Sequence, residues 1–295
     1  MTFVEQTPTR GGAEPGFDAL SKLAYDEAGL VLSDSKAAMI KSRLRHRLKA
    51  LSIDNLEAYC NYVKSDAQQV ERRHMISALT TNVSGFFREP HHFEQLKSDL
   101  VPRMAERIKN GEAVRIWSAG CSNGQEPYSI AMLLASEDPV FRSGDFRILA
   151  TDIDPQVVAY GATGRYTEAQ VAGLDDRQIS QFTTQEEDQD GEIIYRVNDD
   201  LRRMIAFREL NLIGDWPMRR KFDAIFCRNV VIYFDGLTQE RLWPRFGSLL
   251  KPDGFVFVGH SERITDPAFK SVGSTAYAFA KPDNNIASTS LRKDN

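Results

Sequence analysis

The segment Val114-Arg115-Ile116-Trp117-Ser118-Ala119-Gly120-Cys121-Ser122-Asn123-Gly124-Gln125-Glu126-Pro127 constrains the fold more than any other stretch of the chain. A β-favouring run, Val114 to Trp117, leads into a turn of small residues bracketed by Gly120 and Gly124. Pro127 then stands where a helix begins, and Ile130, Met132, Leu133 and Leu134 supply its apolar residues. Strand, glycine turn and helix in that order make one βα unit. Its glycines let a ligand lie against bare backbone, and the helix start offers unpaired N–H groups. A plain βα connection looks the same, so a ligand-binding reading needs support from elsewhere.

Alternation beyond the turn supplies part of that support. Phe146 to Thr151 reads as a second strand, closed by Asp152-Ile153-Asp154-Pro155 and followed by a helix with Val157, Val158 and Ala159. Further strands are expected at Met204 to Phe207, Phe222 to Cys227, Phe255 to Gly259 and Ala276 to Ala280. A helix from Thr238 to Leu250 ends at Lys251-Pro252-Asp253-Gly254. Such alternation predicts an α/β fold with a doubly wound, mostly parallel sheet and helices on both faces. Between about 183 and 207 the rhythm breaks. An acidic turn, Glu186 to Glu192, and the run Ile193 to Val197 predict a small antiparallel β insertion.

The first part of the chain is helical instead. Ile40, Leu44, Leu48 and Leu51 draw one apolar stripe, and a small all-helical domain is expected over 17–79. A polar linker at 80–90 joins it to the sheet domain at 91–281, whose first helix carries Phe93, Leu96, Leu100, Met104 and Ile108. Flexible tails are expected at 1–16 and 282–295. Around the stripe lie Lys36, Lys41, Arg43, Arg45, Arg47 and Lys49, with no acid between Asp34 and Asp54. Like charges four residues apart repel unless something acidic faces them. The cluster is either a solvated basic face or a dock for an acidic helical partner or nucleic acid.

The net charge of −4 gives no global nucleic-acid footprint. No stretch approaches a membrane span, and Met1 to Gly16 lacks the apolar block of a signal peptide. Cys60, Cys121 and Cys227 are odd in number and far apart, which predicts neither a disulfide framework nor a zinc site. A reducing cytoplasm is the expected location.

In a doubly wound sheet, ligands sit beyond the carboxyl ends of the strands. Here those ends hold the glycine turn, Asp152, and Arg228-Asn229. Asp152 stands about where an acid that bridges ribose hydroxyls belongs, while Asp154 before Pro155 suits a helix N-cap better. The turn departs from the dinucleotide pattern, and no P-loop occurs. An adenosine ligand with an amino-acid tail and no phosphate, S-adenosylmethionine, fits better than NAD or ATP.

These residues carry a resemblance. Thr80-Thr81-Asn82-Val83-Ser84-Gly85-Phe86-Phe87-Arg88-Glu89, Trp117 to Ser122, Gln125 to Ser129, Thr151 to Asp154, Phe222 to Asn229 with Tyr233-Phe234, and Gly259-His260-Ser261-Glu262 together resemble the CheR-type chemoreceptor glutamate O-methyltransferases over about Phe17 to Lys281. The resemblance implies a class I S-adenosylmethionine-dependent methyltransferase domain. It implies that Asn82, Ser84 and Arg88 fold over the cofactor, that Gly120, Glu126 and Asp152 hold it, and that Asn211 and Leu212 flank the adenine. Arg228 and Asn229 then close the site. Arg88 would orient either the cofactor's carboxylate or the acceptor glutamate with paired hydrogen bonds, and Tyr233 would help place the acceptor oxygen.

The implied reaction is attack of a glutamate carboxylate on the sulfonium methyl. A carboxylate is ionised near neutral pH, so neither a general base nor a metal is expected. His91, His92 and His260 are then packing or capping residues, and Cys227 is core. The implied substrate is a Glu-rich cytoplasmic helical bundle, which would suit docking on Lys41, Arg43, Arg45, Arg47 and Lys49. The β insertion would be a second contact, for a receptor's C-terminal peptide. Two rivals stand beside this reading. A nucleic-acid methyltransferase is disfavoured because Arg228-Asn229-Val230-Val231 replaces the Asn/Asp-Pro-Pro-aromatic run expected of exocyclic-amine enzymes. A non-catalytic cofactor-binding scaffold is disfavoured by Arg88, Glu126, Asp152 and Asn229 standing together.

Overall fold

The computed structural model describes residues 16–65, 69–80, 82–273 and 275–279. Of the expected tails, 1–15 and 282–295 lie outside the described residues, and Gly16 caps the first helix. The described chain forms two compact units. One comprises the helices before Thr81 with the short segment Tyr233–Asp235, and the other runs from Asn82.

The helical unit holds α1 (Phe17–Ala28), α2 (Ala37–Leu51), α3 (Leu56–Val63) and α4 (Gln69–Leu79). α1 ends on Gly29, whose φ of 68° permits a left-handed cap with N–H bonds back to Ala24 and Tyr25. Asn55 caps α3 through its side chain. Leu20, Ala24, Ile40, Leu44, Tyr59, Val63 and Met75 make the core. Leu48 and Leu51 of the expected stripe are only half-buried.

The second unit opens with α5 (Pro90–Gln95) and α6 (Val101–Lys109), joined by a π turn at Leu96–Leu100 where a single helix was expected. Pro102 explains the break, because its ring cannot follow a regular α turn. Then come β1 (Val114–Ala119), α7 (Gln125–Glu137), α8 (Val140–Ser143), β2 (Phe146–Asp152), α9 (Pro155–Thr163), β3 (Arg165–Thr167), α10 (Glu168–Val171), α11 (Asp176–Phe182), β4 (Thr183–Glu187) and β5 (Ile193–Val197). α12 (Asp199–Arg202), β6 (Ile205–Glu209), β7 (Phe222–Cys227), α13 (Gly236–Leu249), β8 (Leu250–Val258), β9 (Phe269–Ser271) and β10 (Ala276–Phe279) complete it.

The main sheet has the order β6-β2-β1-β7-β8-β10-β9. Its first five strands are parallel, and β10 and β9 add antiparallel. β7 is buried at every position, as befits a central strand covered on both faces. The expected insertion is a three-stranded antiparallel sheet, β3-β5-β4. It begins earlier than the sequence suggests, at Arg165, and β6 joins the main sheet. β8 also begins early, at Leu250, with a register shift opposite Phe222/Ala224 that absorbs Pro252 to Gly254. Arg107 ties this edge down by bonding both Asp223 at 2.5 Å and Asp253 at 2.7 Å.

Candidate active site

β1 delivers the chain to the glycine turn at the carboxyl end of the sheet. Gly120 and Gly124 have φ of 92° and 90°, which glycine adopts without strain. A Cβ on Gly120 would meet the Val230 side chain at 2.3 Å, so the turn packs directly on the end of β7. The N–H groups of Gly120 and Cys121 both donate to the Thr151 carbonyl, at 2.8 and 2.9 Å, which locks the turn to β2.

Asp152, the last residue of β2, is buried. Its carboxylate accepts from the Ser122 N–H at 2.8 Å and the Asp154 N–H at 3.1 Å. Burial raises its pKa although these N–H groups oppose the shift. Asp154 is the α9 N-cap, accepting from Gln156 N–H at 2.9 Å, as expected. Asp154 also binds Asn82: the Asn82 amide donates to it at 2.9 Å, and the Asn82 carbonyl accepts from Ser122 Oγ at 3.1 Å. The segment carrying Asn82 and Ser84 therefore lies along the glycine turn, and both residues are half-buried there. Past β6, Leu210 N–H donates to the Asp152 carbonyl at 2.9 Å, bringing Asn211 and Leu212 beside the same strand end. Arg245 fixes that loop by donating to the Leu212 carbonyl at 2.9 Å while stacking on Trp216 at 4.0 Å.

Arg228 is the centre of the second half of the site. Its side chain is 3% exposed and bridges two carboxylates, Glu126 at 3.0 Å and Glu89 at 3.3 Å. It also donates to the Arg88 carbonyl and lies over the Phe93 ring. Glu126, in the first turn of α7, takes a further bond from Ser118 Oγ at 2.7 Å. Burial raises the Glu126 pKa against the pull of Arg228. Burial would raise Glu89 too, but Arg228, with His260 and Asn229, holds it at about 2. Asn229 has φ of 59°, and its N–H donates to Glu262 at 2.8 Å. Glu262 also accepts from Gly259 N–H at 2.5 Å and Ile232 N–H at 3.2 Å. The roles of Glu89 and Glu262 escape a reading of the sequence. Their only signals are an acid before Pro90 and an acid in the motif after β8.

Arg88 is exposed, and its guanidinium donates to the Val83 carbonyl at 3.1 Å. Tyr233 groups with the helical unit, where its carbonyl accepts from Val31 N–H at 2.9 Å. The structure thus gathers Asn82, Ser84, Gly120, Glu126, Asp152, Asn211, Leu212, Arg228 and Asn229 in one unit and leaves Tyr233 in the other. Glu89, His91 and His92 bring ligating atoms within 4.8 Å of one another. A cation there would face the Arg228 guanidinium, which already holds Glu89.

His92 packs, as expected: it is fully buried, edge-on to Phe257, with Nε2 paired to Thr275 Oγ1. Burial lowers its pKa from 6.5 to about 3. Between those values the unfolded chain binds the extra proton, so stability rises with pH. Stability is therefore expected to fall as pH drops from about 6.5 toward 3. Glu89 adds to the loss only below the ordinary carboxylate range. Denaturant unfolding of His92→Gln should show a flatter limb between pH 6.5 and 4.5; an unchanged slope would exclude His92 as its source.

The basic cluster on α2 divides in two. Lys41, Arg45 and Lys49 are exposed. Arg43 and Arg47 are half-buried and point into the helical unit, which corrects the expectation of one five-residue docking face. Arg43 donates to the carbonyls of Leu79 and Thr80 at 3.0 and 3.3 Å, at the end of α4. Arg47 pairs with Glu71 through two bonds, and Glu71, 5% exposed, also accepts from Tyr59 at 2.8 Å.

Comparison with known proteins bears on both units. The family model described as "CheR methyltransferase, SAM binding domain" matches residues 82–278, and "CheR methyltransferase, all-alpha domain" matches 15–80. A probable chemotaxis protein methyltransferase of Rhizobium etli is 43% identical over 260 residues, covering 87% of this chain and 97% of that protein. The chemotaxis protein methyltransferase of Escherichia coli is 38% identical over 282 residues, covering 95% and 96%.

Proposed function

The chain belongs to the CheR methyltransferase family, and on that premise we propose a reading of how its residues serve methyl transfer to chemoreceptor glutamates. It is an S-adenosylmethionine-dependent protein-glutamate O-methyltransferase of chemotaxis. The donor set fits that cofactor. Asp152 and Glu126 are carboxylates, which accept from hydroxyls and an ammonium group and would repel phosphates. Gly120, at φ of 92°, lets the turn close against Val230 with no side chain of its own, which fixes the backbone beside these carboxylates.

S-adenosylmethionine supplies a methyl group activated by sulfonium. Asp152 would hold the ribose hydroxyls, Asn211 and Leu212 the adenine edge, and Glu126 with Asn82 and Ser84 the amino-acid tail. Arg228 and Asn229 fix the floor. Arg88 is the exposed guanidinium at this rim, suited to a bidentate grip on the acceptor carboxylate. Tyr233 would help to place the acceptor oxygen. Catalysis then rests on alignment and partial desolvation of a carboxylate that is already charged.

The single observation that carries this reading is the Glu126–Arg228–Glu89 bridge, whose Glu126 stands in the helix turn that Gly124 caps. The acceptor would be the Glu-rich helical bundle of a chemoreceptor, met in the cytoplasm, with Lys41, Arg45 and Lys49 as the electrostatic guide. No helix among the described residues is long and apolar enough to cross a membrane. The outer strands β3 and β4 of the small sheet are edges on which a receptor's C-terminal peptide would add as a strand.

Labelled methyl transfer from S-adenosylmethionine onto receptor-bearing membranes should yield base-labile methanol; label that survives base would exclude a carboxyl ester. Combined Arg45→Glu and Lys49→Glu is expected to raise the acceptor KM several-fold and leave cofactor affinity alone. The effect should shrink toward about 1 M salt, where the Debye length is about 3 Å. A KM unmoved at low salt would remove α2 from the docking surface.

A further inference from the structure

The mechanism uses Glu89 only as a partner of Arg228, although its backbone is in the left-handed region, at φ of 58°. Five non-glycine residues among those described have positive φ, and four of them lie in this site: Phe87 at 50°, Glu89 at 58°, Ser122 at 48° and Asn229 at 59°. Strained backbone of this kind persists only where surrounding contacts over-determine it. Phe87 and Glu89 flank Arg88 on either side. The strained turn therefore centres on the exposed Arg88.

Both shoulders of the turn are tied down. Phe87 N–H donates to Ser129 Oγ at 2.9 Å, and Ser129 is buried on α7. On the other side the Glu89 carboxylate, 11% exposed, gathers Arg228 at 3.3 Å, His260 Nδ1 at 3.1 Å and Asn229 Nδ2 at 3.4 Å. Arg228 in turn donates to the Arg88 carbonyl. One carboxylate thus links the end of β7, the loop after β8 and the backbone that carries Arg88. Arg228 meets Glu126 as well, at 3.0 Å; of the two carboxylates, only Glu89 belongs to the turn itself.

We propose that Glu89 is a positioning residue for methyl transfer, holding the strained turn from Phe87 to Glu89 so that Arg88 meets the incoming carboxylate. This rests on Arg88 gripping the acceptor, as read above. Glu89 touches neither substrate nor reacting atoms; it acts through Arg88.

Glu89→Gln keeps the side chain's size and removes its charge. Its expected signature is a fall in kcat of about tenfold to a hundredfold, the scale of a small misplacement. Affinity for S-adenosylhomocysteine by calorimetry should stay within about threefold. The deciding measurement is a double-mutant cycle with Arg88→Lys. If Glu89 works through Arg88, Glu89→Gln costs less than about twofold once Arg88 is already lysine. Full additivity would overturn the proposal while leaving the role of Arg88 intact. If Arg88→Lys alone leaves kcat and acceptor KM unchanged, the reading of Arg88 itself fails, and the proposal with it. Should Glu89→Gln lower the unfolding midpoint, the same cycle run with Glu89→Asp, which keeps the charge and shortens the reach, gives the same decision.

Discussion

Arg228→Ala is expected to abolish cofactor binding and to destabilise the methyltransferase unit by about 3–5 kcal/mol. The guanidinium is 3% exposed and sits between Glu126 and Glu89. Removing it leaves two carboxylates in a poorly solvated space with no cation between them. Glu126, whose pKa burial already raises, would take up a proton and turn from its present hydrogen bonds. The loss in affinity for S-adenosylhomocysteine should exceed about a hundredfold, since each tenfold is about 1.4 kcal/mol. Arg228→Lys should fall between, because a lysine has one compact charge and cannot span both carboxylates. Calorimetry and denaturant unfolding measure the two effects separately. Affinity within threefold of the parent chain would mean that the bridge is merely structural.

The second large effect is expected in the helical unit. Arg47→Ala should lower that unit's stability by about 3–5 kcal/mol, because Glu71 would remain buried without its cation. Tyr59, whose pKa burial and Glu71 raise, would keep one bond to the carboxylate but carry no charge to balance it. Arg45→Ala, on the exposed flank of the same helix, should change stability by no more than about 0.5 kcal/mol. Thermal unfolding of the two variants side by side tests the contrast, and equal midpoints would refute it. Receptor methylation by Arg47 variants would thus report folding before docking. Charge reversal is informative at Arg45 and Lys49.

The sequence made the turn legible because its glycines and Pro127 each answer a local backbone demand. Asp154 as N-cap was readable for the same reason: the cap bond spans two residues. What stayed hidden depends on distance along the chain. Arg47 looks like one of six surface cations until Glu71, on another helix, is placed opposite it. Nothing near Glu89 reveals that it meets Asn229 across 140 positions. Glu262 appears in a quotable motif, yet its work, accepting three backbone N–H groups, exists only once β7 and β8 pair. The three residues of β3 are too few to show a periodicity, and the π turn is a compromise around Pro102 that an apolar stripe cannot register.

The centre of the sheet carries one more consequence, for how the protein comes into being. Arg115 N–H reaches Asp223 across 108 positions, and Arg228 reaches Glu126 across 102. All of α7 to β6, with the three-stranded insertion, lies inside that closure. Pairings so remote make a slow search, because loop entropy is lost before any contact rewards it. A nascent chain that has made only β1 and β2 already owns Asp152 and the glycine turn but lacks Arg228. On the site proposed above, affinity for the methyl donor is therefore expected only of chains that extend past β7.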